Sequence, residues 1–85
     1  MKTISYIITD ELGIHARPAG MIAKLAKGYK SEIKIGTSNK MADASRVIGI
    51  MSLCMKQGDE IIVTVDGEDE GEAAEAISAL LKDNL

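Results

Sequence analysis

The chain has 85 residues, 46% of them apolar and 27% charged, with a formal net charge of −3; this is the size of one small domain, residues 1–85, with a marginal core. With no Phe or Trp, that core must come from twelve Ile, six Leu, five Met, three Val and Ala, and Tyr6 and Tyr29 are the only rings. A single cysteine, Cys54, excludes an internal disulfide, and one His beside one Cys leaves too few soft ligands for a zinc site.

Ile4, Tyr6 and Ile8 alternate with Thr3, Ser5 and Thr9, the period of a strand with one buried face; Ile7 is the exception. Residues 10–13 break it. From Ala16 the period changes, and Ala19, Ile22, Ala23 and Ala26 follow i, i+3, i+4, i+7, the stripe of an amphipathic helix with Met21 and Leu25 on its flank. Gly28 is a natural stop. Ile33 and Ile35, alternating with Glu32 and Lys34, give a second strand; residues 37–39 turn, and residues 40–44 return as a weak third.

Residues 46–53 carry Val47, Ile48, Ile50, Met51 and Leu53. They are too apolar for a surface loop and too few for a self-sufficient helix, so a short element lying on the domain is expected. Ile61, Val63 and Val65 form the clearest strand, closed by Asp66 and Gly67. Asp69 followed by Glu72 reads as a capping box, acids crowd the next turn, and Ala73, Ile77 and Leu80 with Ala74 and Leu81 make the last helix amphipathic. The order β-α-β-β-α-β-α predicts an α+β open-faced sandwich: a four-stranded antiparallel sheet covered on one face by three helices.

Charge is unevenly spread. Between His15 and Gly58 there are eight basic residues against Glu32 and Asp43, whereas Asp59 to Glu75 holds eight acids and no base. Such a split favours acidic partner surfaces and faster encounter. The basic half has almost no aromatic residues for stacking, which argues against nucleic acid. No apolar run approaches the roughly 18 residues of a membrane helix and no signal-peptide pattern opens the sequence, so a cytoplasmic monomer without membrane insertion is expected.

The stretch G-I-H-A-R-P-A-G, Gly13 to Gly20, concentrates the chemistry: it holds the only histidine and the only proline, with Arg17 two places after His15. Its position at the turn-to-helix change puts His15 at the N-cap. The N–H groups of Ala16 and Arg17 are then without helical partners at the positive end of the macrodipole, a place that attracts phosphate. Pro18 needs no N–H there and stiffens the first turn. An imidazole so placed can act as nucleophile and anion carrier, with Arg17 stabilising the transferred group. A Gly-rich phosphate loop, a second histidine and paired acids are all missing near this turn, so the expectation is a carrier in a relay, not a stand-alone catalyst, with no cofactor and no metal.

I14-H15-A16-R17-P18-A19 resembles the phosphorylation signature of the HPr family, the small phosphocarriers of the phosphoenolpyruvate-dependent sugar phosphotransferase system. G49-I50-M51-S52-L53, followed by Lys56, Gly58 and the strand Ile61 to Val65, resembles the second family segment, and the likeness runs through the whole chain. It implies that His15 is phosphorylated on Nδ1 by phosphorylated enzyme I and passes the group to a histidine of sugar-specific enzyme IIA proteins, with Arg17 helping to hold it. It also implies a docking surface on the first and second helices: Ala16, Ala19, Gly20, Met21, Lys24 and Lys27, with Arg46, Val47, Ile48, Gly49 and Met51. Ile50 and Leu53 read instead as core.

Three positions depart from the family pattern. Arg46 stands where many members carry a regulatory serine, with Ser45 one place early and Ser52 reading as structural; Leu12 replaces a small polar residue; Cys54 replaces a glycine. These departures support an alternative in which an HPr-like module acts on regulatory proteins mainly through contacts.

Overall fold

In the computed structural model, which describes residues 1–85, the elements follow the expected order: strand β1 (Lys2–Ile7), helix α1 (Ala16–Lys27), strands β2 (Glu32–Gly36) and β3 (Met41–Asp43), helix α2 (Val47–Met51), strand β4 (Glu60–Asp66) and helix α3 (Glu70–Asn84). The strands form one antiparallel sheet in the order β1-β4-β2-β3. β4 takes an interior place because it has the most regular apolar alternation: Ile61, Val63 and Val65 are fully buried. Register then sets Ile4 on one side of Val63 and Ile35 on the other, so the apolar side chains of three strands share one face.

The helices cover that face and leave the other in water. This explains the exception in the first strand: Ile7 shares the open face with Thr3 and Ser5 and is 51% exposed. On the same face the Ser5 hydroxyl donates to a Glu60 carboxylate oxygen at 2.6 Å. Beneath the helices, 18 buried residues form one cluster without an aromatic ring, and Tyr6 and Tyr29 only pack against its edge. Each fully buried Ile contributes about 1.5–3 kcal/mol, so a few such residues set the stability of so small a core.

α1 inserts Ile22 and Ala23 into this core, with Ala19 and Ala26 one turn to either side. It ends at Gly28, which keeps a right-handed conformation (φ −80°). The close is a tight turn in which the Gly28 N–H donates to the Leu25 carbonyl at 3.0 Å. Lys24 and Lys27 lie in that last turn, where the helix dipole favours cations.

The capping box expected at Asp69 and Glu72 does not form. Asp69 is the residue before α3, yet its carboxylate makes no cap bond. It is already occupied by the Lys30 N–H at 2.8 Å and by the N–H and hydroxyl of Ser31, a buried residue that needs partners. Tertiary donors outcompete the local cap.

Candidate functional site

The turn that carries His15 is fixed from several sides. Asp10 accepts the Leu12 N–H on its side chain at 2.8 Å and the Gly13 N–H on its carbonyl at 3.0 Å. Gly13 adopts φ +64°, a left-handed conformation that lets the chain double back against Met55 and Lys56. The Ile14 N–H then donates to the Met55 carbonyl at 3.1 Å, and the Ile14 side chain is buried. His15 follows in an extended conformation (φ −110°, ψ −172°) as the N-cap residue of α1.

His15 itself is partly exposed, and its ring makes no hydrogen bond within the protein. Its carbonyl opens α1 by accepting the Ala19 N–H at 3.1 Å. The N–H groups of Ala16 and Arg17, both exposed residues, are used by no hydrogen bond of the chain, and Pro18 has none to give. Two free donors beside an accessible imidazole at a positive helix end make an anion cradle.

A cleft of about 320 Å³ borders the ring and is lined by His15, Asp10, Arg17, Pro18, Met21, Asp83 and Asn84. The last two were not foreseen from sequence, and no local pattern marks them. They arrive through the end of α3: the Leu85 main-chain oxygen accepts the N–H groups of Thr9 and Asp10 at 2.7 and 2.8 Å and the Thr9 hydroxyl at 2.6 Å. The positive start of α1 and the negative end of α3 therefore face one cleft.

The residues expected to form a docking surface divide by burial. Gly20 is half-exposed, and a Cβ built there would meet nothing within 4 Å. Met21, Lys24 and Lys27 are exposed on the same helix. On α2, packed beside α1, Ile48 is 84% and Met51 42% exposed, with Val47 and Gly49 half-buried. Arg46 is exposed and lies 3.9 Å from Asp43. Asp43 itself is held below the usual carboxylate value by hydrogen bonds from the Ser45 hydroxyl and N–H, assisted by the charges of Arg46 and Lys34. Together these form an apolar patch rimmed by cations. Ile50 is fully buried and Leu53 half-buried.

Ala19 is the correction. Expected on the docking surface, it is 0% exposed and belongs to the core. Its place in the i, i+3, i+4, i+7 stripe points it inward with Ile22 and Ala23, so it supports the surface from below.

The model of the PTS-HPr family, described as the PTS HPr component phosphorylation site, matches residues 2–83. The chain belongs to the HPr family. It is 42% identical over 81 residues to Phosphocarrier protein HPr of Lysinibacillus sphaericus, covering 95% of this chain and 92% of that one. It is 43% identical over 83 residues to Phosphocarrier protein HPr of Mycoplasma pneumoniae, covering 96% and 94%. Among solved structures, a Mycoplasma histidine-containing phosphocarrier protein superposes with a TM-score of 0.93 at 36% identity, covering 96% and 93%. The fold is thus that of HPr, a phosphocarrier and not a stand-alone catalyst. No helix is long and apolar enough to cross a membrane.

Two of the departures from the HPr pattern gain a structural description. Leu12 projects into solvent at 72% exposure on the turn before His15. Cys54 is exposed and holds φ +53° just after α2, a left-handed conformation that suits glycine better than any side chain.

Proposed function

We propose that this HPr accepts a phosphoryl group on His15 from phosphorylated enzyme I and passes it to a histidine of enzyme IIA proteins in sugar uptake. The observation that carries the reading is the pair of unpartnered N–H groups, Ala16 and Arg17, next to an accessible imidazole. The His15 Nδ1 lone pair attacks phosphorus as the bond from phosphorus to its carrier atom on enzyme I breaks and that atom keeps the electron pair; in the second transfer a histidine of enzyme IIA attacks and the phosphorus–nitrogen bond at His15 breaks. Little covalent machinery is needed for such a step beyond alignment and charge stabilisation. The free amides and the Arg17 guanidinium supply the latter at an open site that keeps the group available to the next protein.

Docking falls to Ala16, Gly20, Met21, Lys24 and Lys27 of α1 with Arg46, Val47, Ile48, Gly49 and Met51 around α2. Exposed Ile48 and Met51 supply apolar contact, and the cationic rim steers acidic partners. The protein works as a cytoplasmic monomer that meets its partners one at a time.

Incubation with phosphoenolpyruvate, Mg²⁺ and enzyme I should add one acid-labile phosphoryl group, which purified enzyme IIA then removes. His15→Ala should abolish both. Label on the His15→Ala protein would overturn the site, and phosphorylation without onward transfer to any enzyme IIA would instead favour the regulatory alternative.

A further inference from the structure

Three large apolar side chains are exposed on the docking surface, and two of them are methionines: Met21 at 37% and Met51 at 42%, with Ile48 at 84%. Met21 belongs to α1 and Met51 to α2, so each helix of the surface presents one. Met21 also lines both the His15 cleft and a hollow of about 580 Å³ that it shares with Leu25 and Leu80, which leaves its thioether open to a small solute. The remaining methionines behave differently. Met55 is buried at 3% exposure, and Met1 and Met41 are exposed but lie before β1 and on β3, outside this surface.

An unbranched thioether adapts its shape to more than one partner, which suits a carrier that must meet several proteins. Its sulfur is also open to oxidation. Resting on the docking reading above, we propose that Met21 and Met51 are reversible oxidation sites through which a hydroperoxide weakens partner binding. The sulfur lone pair attacks one peroxide oxygen as the oxygen–oxygen bond breaks. The departing oxygen keeps that electron pair, takes the proton left on the transferred oxygen, and leaves as water when the oxidant is hydrogen peroxide. Sulfur gives up two electrons and the peroxide gains two. The sulfoxide is polar, and burying its oxygen against an apolar partner surface without a donor is unfavourable. Methionine sulfoxide reductases A and B, one for each epimer, return the thioether. Met55 sits too deep to follow.

The test treats the full chain carrying Cys54→Ser, which removes the exposed thiol, with hydrogen peroxide. Peptide mass spectrometry should place oxygen on Met21 and Met51 before Met55; the reverse order would overturn the proposal. Affinity for enzyme I, read by titration calorimetry so that no phosphoryl transfer is needed, should fall about fivefold or more. The two reductases together should restore it. The double variant Met21→Leu, Met51→Leu should keep its own untreated affinity after peroxide; a loss as large as the parent's would overturn the proposal, because oxidation elsewhere would then carry the effect. Ile48→Glu separates this proposal from the reading beneath it. If that change weakens binding while oxidised Met21 and Met51 do not, the oxidation sites fail and the docking surface stands. If neither weakens binding, the docking surface fails and the oxidation proposal falls with it.

Discussion

Asp69 and Ser31, 38 positions apart, are joined by two bonds to one carboxylate oxygen: the Ser31 N–H and the Ser31 hydroxyl both donate to Oδ1. Lys30 adds its N–H to Oδ2, so the start of β2 is tied to the start of α3. These donors, the Ser31 hydroxyl first, hold the Asp69 carboxyl below the ordinary value of 3.8. A carboxyl whose folded value is lowered contributes stability in full above its unfolded value and loses it as pH falls through the folded one. Urea melts should therefore show stability level through neutral pH and falling below about pH 4. Asp69→Asn should lower stability at pH 7 and reduce that acid limb, leaving the shares from Asp43 and Glu70, which are lowered as well; parallel profiles would exclude Asp69 as a source. Ser31→Ala should cost about 1 kcal/mol at pH 7.

Gly13→Ala should damage stability and phosphoryl uptake together. The new Cβ would lie 2.5 Å from the Met55 carbonyl oxygen and 2.8 Å from the Lys56 Cα, at a φ of +64°. The left-handed conformation alone costs about 1–2 kcal/mol, and relief of the overlap must move the turn that aims His15. Phosphorylation by enzyme I should slow about tenfold or more; an unchanged rate in the destabilised variant would separate turn geometry from acceptor function.

Gly20 and Gly71 make a matched pair. Both lie in helices, and a Cβ at either meets nothing within 4 Å. Each Ala replacement should stabilise the fold by about 0.5–1 kcal/mol. Only Gly20 lies on the proposed docking surface, so Gly20→Ala should gain stability while raising the KM for enzyme I, and Gly71→Ala should leave transfer untouched. Equal transfer kinetics in both variants would remove Gly20 from the interface.

Cys54→Gly should raise thermal stability by about 1 kcal/mol, because the residue holds φ +53° and a side chain there is strained. A β-branched Cys54→Val should lower it. The two melting curves, run under reducing conditions, settle the point.

Segments with a regular period were the most legible from sequence. The alternation at Ile61, Val63 and Val65 and the stripe from Ala19 to Ala26 state their own burial, since a one-residue slip in either would expose apolar groups. Ala19 shows what happens when a surface role is laid over such a stripe: the period already placed it inside. Asp69 was misread for a different reason, because a local pattern cannot register donors from Lys30 and Ser31. The same holds at the candidate site. His15, Ala16 and Arg17 were visible as a turn-to-helix junction, whereas Asp83 and Asn84 reach the cleft only through the docking of α3, which no spacing encodes.

The hold of Thr9 and Asp10 on Leu85 has a practical consequence for anyone labelling this molecule. A fusion or affinity tag appended after residue 85 would start at the rim of the His15 cleft and crowd an incoming protein. Met1 lies 2.9 Å from Glu70, at the opposite end of a 15-residue helix about 22 Å long. Reporters belong on the amino side, where bulk leaves the imidazole unobstructed.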